Sequence, residues 1–386
     1  MRINNQMYNY KSAAPGNFKG YDARPLKAVV MTISDEPAAF EIVKKISDIG
    51  KKDGFDVYYS NGCSKLLKNI NSIKKKFNEN LGFRFCKWAQ DRAVLTPENK
   101  VISDGYYKNS IFARSLSSVT KAKTLSSEDA IEGGNLFFIN NNGKNEMLLG
   151  SEDLVGRNIE TIKKMYGVDK IHILPQADYH LDLFYRPLTD NKILIADDTM
   201  TLKALQKGLN NLKKYLKNND CSQEEQNKLL FVKDKLENLI KEFKTDINLN
   251  NNYNADDIEP LLKEKGFEPI RVPARIYSTI QNYKRDDLTH SLNYINAVVH
   301  QKPDKSLTYI TNKSDLNEKF GITWQIARKI GFDFEEMFIK SLAPYVKRRD
   351  IHFISGQNNH VSYLLEKEQG GVHCLCNEIP AENIKT

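Results

Sequence analysis

The sequence around residue 374 places two thiols beside an imidazole. The stretch QGGVHCLCNEIP covers residues 369–380, in which His373 precedes Cys374 and Cys376 follows two positions later. A thiolate can attack an electrophilic carbon, so the stretch could be a nucleophile loop. Thiolate and imidazole are also zinc ligands, and the two glycines could serve a tight turn that does no chemistry.

The metal interpretation needs a fourth ligand from elsewhere in the chain. His180 could supply it, beside His373, Cys374 and Cys376. Structural zinc sites usually contain paired C-x-x-C knuckles, and this sequence has none. The nucleophile interpretation is therefore favoured.

Two earlier stretches contain polar side chains that could take part in catalysis, in apolar surroundings where a hydrophobic core would not normally include them. In KWAQDRAV, Asp91 lies close to Trp88, and in IEGGNLFFI two glycines separate Glu132 from Asn135. The aspartate could simply cap a turn, and the glycines could mark a β-bulge.

The fourth stretch, YHLDLFYRPL, contains a histidine and an aspartate two positions apart. The run is otherwise apolar and is predicted to be a strand, so His180 and Asp182 would point to one face and Leu181 to the other. They could form a buried hydrogen-bonded pair. The four stretches together, however, supply three carboxylates, a histidine and a thiol. That is a complete set for attack on a cationic carbon, and a guanidinium fits it best.

The four stretches, in this order, resemble the guanidine-modifying pentein superfamily. That superfamily includes arginine, agmatine and peptidylarginine deiminases, dimethylarginine hydrolases and amidinotransferases. IEGGN is similar to its E-G-G-[DN] strand, HLD to its H-x-D segment and GGVHCLCN to its G-x-H-C-x-T-[NQ] nucleophile loop. WAQD resembles the W-x-[RQ]-D segment of agmatine and peptidylarginine deiminases. The resemblance extends over residues 24–380. It implies an α/β fold, a five-bladed pseudo-symmetric propeller of ββαβ units around a central pore.

The resemblance also implies a role for each matching residue. By it, the catalytic residues are Cys374, His180 and Glu132, and the substrate-binding residues are Asp91, Asp182, Trp88 and Asn135. Cys374 would attack the guanidinium carbon, His180 would serve as general acid and base, and Glu132 would orient His180. The two aspartates would clamp the guanidinium. Neither a metal ion nor a cofactor would be required.

The implied reaction is that of a deiminase. This hydrolase would convert the guanidino group of free arginine, agmatine or peptidyl-arginine to a ureido group and ammonia, through a covalent thiouronium on the cysteine. An amidinotransferase would use the same residues to pass the amidino group to an amine. A noncatalytic guanidinium-binding or metal-binding protein is a further alternative.

Two positions depart from the family pattern. Cys376 stands where Thr or Ser is common, so a second thiol follows the first closely. Gln90 precedes Asp91 where agmatine deiminases usually have Arg. The second departure favours a peptidylarginine-like or an unassigned branch of the family.

The elements that must position these residues follow a repeated order of strand and helix. PLKAVVMTIS and FDVYYS are predicted strands, and AAFEIVKKISDIGKKDG between them has helical spacing and ends at Gly54. The same order recurs in IEPLLKEKGFEPIRVP, whose helix ends at Gly266, and in FEEMFIKSLAPYVKRRDIHFISG. We expect an N-terminal tail over residues 1–23 and a single catalytic domain over residues 24–386.

A helical hairpin is predicted to interrupt that domain over about residues 199–257. Apolar residues recur there at intervals of three and four in two consecutive runs, which puts one apolar stripe on each helix. Between the runs, Ser222 and Glu225 form a capping box. We expect the stripes to pack on each other as a self-contained pair that could be deleted. The outer surface of the hairpin is a possible partner site.

Composition indicates a folded cytoplasmic protein. The chain has 386 residues, 40% of them hydrophobic, and no apolar run suited to a signal sequence or a membrane span. Its five cysteines are irregularly spaced, which indicates free thiols. The net charge of +8 comes mainly from scattered lysines without interleaved aromatic residues. We therefore expect a small-molecule or peptide substrate of the arginine type, and neither nucleic acid nor a membrane as a partner.

Overall fold

The computed structural model describes residues 22, 24–32, 37–60, 88–105, 107–141, 143–176, 180–218, 221–249, 253–276, 292–313, 333–354 and 371–381. Most of the predicted N-terminal tail lies outside the described residues, as do Cys63 and Cys86. Within the described ranges, no helix is both long enough and apolar enough to cross a membrane.

Five three-stranded sheets form the framework of the described residues. In each sheet the middle strand pairs antiparallel with one neighbour and parallel with the other. The strands are Cys376–Pro380, Leu26–Thr32 and Asp56–Ser60 in the first unit; Val94–Leu95, Lys100–Ser103 and Lys123–Ser126 in the second; Leu136–Asn141, Lys144–Gly150 and Lys170–Leu174 in the third; Tyr185–Pro187, Lys192–Ala196 and Glu268–Val272 in the fourth; and Val298–Gln301, Leu307–Asn312 and Ile351–Ile354 in the fifth. A separate two-stranded ladder joins Arg275–Ile276 to Leu292–Asn293.

Helices occupy the connections between the parallel strands, because parallel neighbours need a long crossover. They are Pro37–Asp53 in the first unit, Tyr107–Thr120 in the second, Ile159–Tyr166 in the third, Asp198–Asn218, Gln223–Leu249 and Ala255–Glu264 in the fourth, and Phe334–Leu342 in the fifth. Every unit therefore has the order strand, strand, helix, strand, and the first unit takes its first strand from residues 376–380. The five-bladed α/β propeller of ββαβ units implied by the sequence resemblance is confirmed.

Five apolar clusters join neighbouring units into a closed ring. Each cluster combines side chains of two consecutive units, and the last one connects the fifth unit back to the first. Representative members are Val30 and Phe112 of the first and second units, Ile102 and Phe138 of the second and third, Phe137 and Tyr185 of the third and fourth, Leu194 and Tyr309 of the fourth and fifth, and Ile310 and Val29 of the fifth and first. Separating any two neighbouring units would expose one of these clusters to water.

A single strand can serve two clusters because its side chains alternate between its faces. In Leu136–Asn141, Phe137 belongs to the cluster shared with the fourth unit, and Phe138 belongs to the cluster shared with the second. Both phenylalanines are almost fully buried. This double burial explains why the framework strands appear in the sequence as continuous apolar runs.

The predicted elements of the first unit are confirmed. The strands Leu26–Thr32 and Asp56–Ser60 enclose the helix Pro37–Asp53, which is followed by Gly54 with φ at 94°. That φ lies in the left-handed region that glycine adopts without strain, so the residue ends the helix as expected.

The two helices of the predicted hairpin are present, but they are not a self-contained pair. Their buried apolar residues belong to one cluster with strand and helix residues of the fourth and fifth units. The cluster includes Leu205, Leu212, Leu229, Leu236 and Phe243 of the two helices together with Leu194, Val272, Tyr294 and Phe338 of the framework. That expectation is wrong because an apolar stripe shows that one helix face is covered, without showing what covers it.

Candidate active site

The loops that lead into the first strands of four units come together. They are the 3-10 turns Gln90–Arg92, Gly133–Asn135 and Leu181–Leu183, which precede the second, third and fourth units, and residues 371–375, which precede the first unit. The first turn contacts the second, and the second contacts the third. All four sequence stretches chosen for their chemistry lie in or next to these loops.

The histidine and aspartate of HLD do not lie on a strand, and that prediction is wrong. Leu181–Leu183 forms a 3-10 turn, and the strand begins only with Tyr185–Pro187. Composition did not distinguish the two, because buried turns and short buried strands are equally apolar. The turn nevertheless keeps His180 and Asp182 at the same site, where each has a polar atom within 4.8 Å of the other.

The two glycines of IEGGN allow these turns to approach one another. A Cβ atom on Gly134 would lie 2.5 Å from His180 Nδ1, and one on Gly133 would lie 2.9 Å from the Gln90 carbonyl oxygen. Such distances are too short for a real Cβ atom, so a side chain at either position would push the turns apart. The glycines therefore set the contact between turns and do not mark a β-bulge.

His180 forms a hydrogen bond with Glu132, its neighbour from the third unit. His180 Nε2 lies 2.8 Å from Glu132 Oε2. Burial alone would lower the pKa of His180, but this bond and the charges of Asp182 and Asp91 raise it to about 9. The same bond lowers the pKa of Glu132. At neutral pH an imidazolium therefore faces a carboxylate, and His180 can donate a proton.

Two further carboxylates, Asp91 and Asp182, lie beside His180. Asp91 has an oxygen within 4.8 Å of His180 and Glu132, and Asp182 has one within 4.8 Å of His180 and Cys374. The Oδ1 atoms of both aspartates are buried, and neither has a hydrogen-bond partner among the described residues. Burial raises the pKa of Asp91 to about 7, although the charge of His180 opposes this. The site thus offers acceptor oxygens and negative charge to a cationic donor.

Cys374 is almost fully buried between Asp182 and Asn296. Its Sγ lies 3.5 Å from Asp182 Oδ2 and 3.0 Å from Asn296 Nδ2. Burial raises the pKa of the Cys374 thiol well above its ordinary value, and the charges of Asp182 and Asp91 raise it further. Hydrogen bonds from the backbone of Gly371 and from Asn296 lower it. The thiol therefore stays protonated unless a further positive charge offsets the two aspartates.

Cys376 has a different environment, although only one residue separates it from Cys374. It lies at the start of the strand Cys376–Pro380 and is buried in the apolar cluster shared by the first and fifth units. Burial and the charge of Glu378 raise the pKa of its thiol well above the ordinary value. Both cysteines are free thiols.

His373 orients Asp182. His373 Nδ1 lies 2.8 Å from Asp182 Oδ2, and His373 Nε2 lies 2.7 Å from Gln90 Nε2. An amide nitrogen can only donate, so Nε2 accepts from Gln90 and the ring proton is on Nδ1, facing the carboxylate. Burial and the positive charge of Arg186 lower the pKa of His373, which keeps this ring neutral. The histidine next to the cysteine therefore supports Asp182 through this hydrogen bond.

The remaining two predicted binding residues lie at the edge of this arrangement. Asn135 Oδ1 accepts a hydrogen bond from the Leu181 N–H at 3.0 Å, and Asn135 Nδ2 donates to Asp153 Oδ2 at 2.6 Å. Asn135 thus ties its own turn to the turn that carries Asp182. Trp88 is half-buried and packs against the apolar cluster of the first and fifth units. Substrate binding by either residue stays a prediction.

In the part of the chain that the structure describes, two overlapping groups of side chains have donor atoms close enough to hold a metal ion. They are His180 with Asp182 and Cys374, and His180 with Asp91 and Glu132, with all donor atoms of a group within 4.8 Å of one another. Their donors would suit zinc. Neither group contains Cys376 or His373, which the sequence-based metal interpretation required.

Sequence reasoning did not identify Asn296, whose amide contacts the Cys374 sulfur. A signal was present, because Asn296 lies just before Val298–Gln301, the first strand of the fifth unit. It therefore occupies the loop equivalent to the four that carry the predicted residues. Recognising this position required the boundaries of all five units.

No protein-family model matches the chain, and no curated protein matches it in sequence. Among solved structures, agmatine deiminase of C. jejuni matches with a TM-score of 0.49 and 16% identity, over 94% of this chain and 95% of that one. A substrate-bound variant of that enzyme matches with a TM-score of 0.47 and 15% identity, over 95% and 97%. An adduct of dimethylarginine dimethylaminohydrolase matches with 0.42 and 11%, over 92% and 100%. The five units of the chain define its fold, independently of these matches.

Proposed function

We propose that this chain, which has the pentein fold, is a cysteine-dependent hydrolase of guanidino groups. It converts an arginine-type substrate to the ureido product and releases ammonia. The observation that carries the proposal is the pair Asp91 and Asp182, whose buried Oδ1 atoms have no partner among the described residues. Both carboxylates lie near His180, and Asp182 also lies near the Cys374 sulfur. This arrangement suits a planar cation whose carbon faces the thiol.

The charge of the site supports a cationic substrate. Asp91, Asp182 and Glu132 are acidic, and His180 is the one basic group in the two clusters that they form. Buried carboxylates without partners are unfavourable, which is why burial raises the pKa of Asp91 to about 7. A bound cation would remove this penalty. A guanidinium offers five donors in one plane, whereas an ammonium offers three around a point, so an arginine-type group matches two separate carboxylates better.

Binding of the cation would also activate the nucleophile. Without substrate, burial and two nearby carboxylates keep the Cys374 thiol protonated. A guanidinium beside the sulfur neutralises those carboxylates and favours the thiolate. The thiolate therefore forms mainly when a substrate is present, which limits unproductive oxidation of the cysteine.

The reaction then proceeds in two halves at one carbon. After the thiol proton passes to solvent, the Cys374 thiolate bonds to the guanidinium carbon, and His180 passes its proton to the departing nitrogen as the C–N bond breaks and ammonia leaves. A thiouronium remains on the sulfur. Neutral His180 next takes a proton from water as the water oxygen attacks the same carbon. The C–S bond then breaks and its electron pair returns to Cys374 Sγ, while the hydroxyl of the adduct loses its proton to water as the C=O bond of the ureido product forms.

The test measures ammonia and ureido product from free arginine, agmatine and a blocked peptidyl-arginine. We expect wild type to process at least one of them and to ignore the matching lysine-type compounds. Asp91→Asn and Asp182→Asn should each lose most of kcat/KM, since removing one partner of a buried charge pair costs roughly 3–5 kcal/mol. Asp169→Asn, an exposed carboxylate change, serves as the control.

Two outcomes would contradict the proposal. Near-normal turnover by either active-site aspartate variant would exclude the guanidinium clamp. Disappearance of the guanidino compound only when an amine acceptor is added, without ammonia, would assign the same residues to an amidinotransferase.

A further inference from the structure

Every unit of the ring contributes a polar side chain from the loop before its first strand. The first four units contribute the residues already described, and the fifth contributes Asn296. Asn296 is fully buried and lies between the ladder strand Leu292–Asn293 and the strand Val298–Gln301. Asn296 takes no part in the proton transfers and bond changes of the proposed reaction.

The Asn296 amide forms two hydrogen bonds with a single residue. Its Oδ1 accepts from the Cys374 N–H at 3.1 Å, and its Nδ2 donates to Cys374 Sγ at 3.0 Å. The orientation of the amide is determined by the first bond, because a backbone N–H can only donate and therefore faces the oxygen. The nitrogen is consequently the atom that faces the sulfur.

A second asparagine supports the first. Asn293 Oδ1 accepts hydrogen bonds from the N–H groups of Ile295 at 2.9 Å and Asn296 at 3.0 Å, while Asn293 Nδ2 donates to the Leu183 carbonyl at 3.1 Å. Leu183 belongs to the turn that carries Asp182. The bend before the fifth unit is thereby tied to the turn before the fourth.

We propose that Asn296 is a positioning residue for the nucleophile. It holds the Cys374 sulfur in one orientation, and it stabilises the thiolate relative to the protonated thiol. The proposal rests on the proposed function only in taking Cys374 as the reacting group. Asp182 Oδ2, at 3.5 Å, accepts from the thiol but repels the thiolate. Asn296 is a neutral donor and contacts the sulfur favourably in both forms, more strongly when the sulfur is charged.

The test follows alkylation of Cys374 by iodoacetamide without substrate, between pH 7 and 9, with modification resolved by mass spectrometry of the Cys374 peptide. Only the thiolate reacts, so the rate reports its population. We expect Asn296→Ala to react about tenfold more slowly than wild type at each pH. A hydrogen bond to a charged group favours the thiolate over the thiol by roughly a factor of ten, and this variant loses that bond. Asn296→Asp, which places a carboxylate near the sulfur, should react more slowly still.

The matched control is Asn312→Ala. Asn312 Oδ1 accepts from the Val372 N–H at 3.0 Å, so this change loosens the same loop without removing a bond to the sulfur. We expect its rate to equal or exceed that of wild type, because loosening exposes a buried thiol. A merely structural role for Asn296 predicts the same result for Asn296→Ala, and an unchanged or faster rate in that variant would overturn the proposal.

The experiment distinguishes a misfolded variant, and a failure of the proposed function, from a change in the reactivity of Cys374. If Asn296→Asp does not fold, as judged by circular dichroism, Asn296→Ala decides the outcome. Failure of both variants to fold would assign Asn296 to stability and overturn the proposal. Because alkylation requires no substrate, a protein that turns over no guanidino compound would contradict the proposed function and leave the alkylation result valid.

Discussion

Cys374 and Cys376 illustrate how strongly one position along the chain can change the chemistry of a thiol. The first contacts Asp182 and Asn296, and the second is packed into an apolar cluster. Burial raises the pKa of both thiols. Only the thiol of Cys374 lies where a bound cation could reverse the effect.

We therefore expect Cys374→Ala to abolish ammonia release and Cys376→Ser to retain measurable activity. The serine variant should lose some stability, because it places a hydroxyl in an apolar cluster. Cys221→Ser, at a half-buried thiol outside the candidate site, controls for the loss of a cysteine. Equal and total loss in the Cys374 and Cys376 variants would contradict the assignment.

The pKa values of two active-site groups predict a bell-shaped dependence of kcat/KM on pH. Activity should rise near pH 7, as Asp91 loses its proton and can bind a cation. It should fall near pH 9, as His180 loses the proton that it donates.

Glu132→Gln tests the assignment of the alkaline limb. The charge and hydrogen bond of Glu132 raise the pKa of His180, so their removal should move this limb to lower pH. Glu160→Gln, an exposed change on the helix Ile159–Tyr166, should leave both limbs in place. An alkaline limb that does not move in Glu132→Gln would show that another group titrates there.

At the scale of elements, the loops before the first strands carry the candidate catalytic residues, and the helices of the described ranges carry none of them. These loops come close together because small residues let them pack tightly, as Gly134 does next to the His180 ring. Gly134→Ala would push a Cβ atom to within 2.5 Å of His180 Nδ1 unless the ring moved. We expect kcat/KM to fall about 100-fold, because small displacements of a catalytic group have effects of that size.

Gly156→Ala provides the control for strain. Its φ of 76° makes alanine unfavourable by about 1–2 kcal/mol, but a Cβ atom there would meet nothing within 4 Å. Both variants should melt at lower temperature, and only Gly134→Ala should lose activity. Comparable activity loss in both would mean that general destabilisation explains the effect.

The helices Asp198–Asn218 and Gln223–Leu249 give the second prediction at this scale. Because they pack on the framework, deletion of residues 202–251 should yield insoluble protein.

A finer comparison uses two leucines of one helix. Leu236→Ala should lower the free energy of unfolding by about 2–5 kcal/mol, since its side chain is fully buried. Leu230→Ala, at a side chain that is 40% exposed, should change it by about 0.5 kcal/mol or less. Equal effects in denaturant titrations would contradict the packing.

At the scale of the whole molecule, Arg186 connects several units. It lies on the first strand of the fourth unit and pairs with Glu378 of the first unit and with Asp22. Its guanidinium also lies 5.5 Å from the ring centroid of Phe137 in the third unit. The side chain is fully buried, so these charges are screened little by water.

Arg186→Met should therefore destabilise the protein as a unit. It leaves Glu378 and Asp22 as buried acids without their cation, at a cost of roughly 3–5 kcal/mol in the free energy of unfolding. Arg348→Met, which breaks a surface pair with Glu336, should leave the stability nearly unchanged. Chemical denaturation followed by tryptophan fluorescence measures both. An Arg186 variant as stable as wild type would show that the ion pairs of Arg186 do not stabilise the ring.

Local sequence was sufficient to predict an element where the residues that determine it lie within one short stretch. The strand Leu26–Thr32 and the helix ending before Gly54 could be predicted because periodicity and glycine chemistry act over a few residues. Residue types singled out the stretches that contain His180, Glu132 and Cys374, because thiol, imidazole and carboxylate side chains are rare in apolar surroundings unless they have partners. The role of each residue, and the choice of Cys374 over Cys376, came from the family resemblance and stay predictions.

The sequence by itself determined which side chains are present and the order of strands and helices. Only the tertiary structure decided which of those side chains meet. Asn296 and Cys374 are 78 residues apart and are joined by two hydrogen bonds, and no periodicity along the chain encodes that contact. The physical reason is that closure of the ring brings equivalent loops together, and closure depends on the apolar cluster that joins the fifth unit to the first, which are distant in sequence.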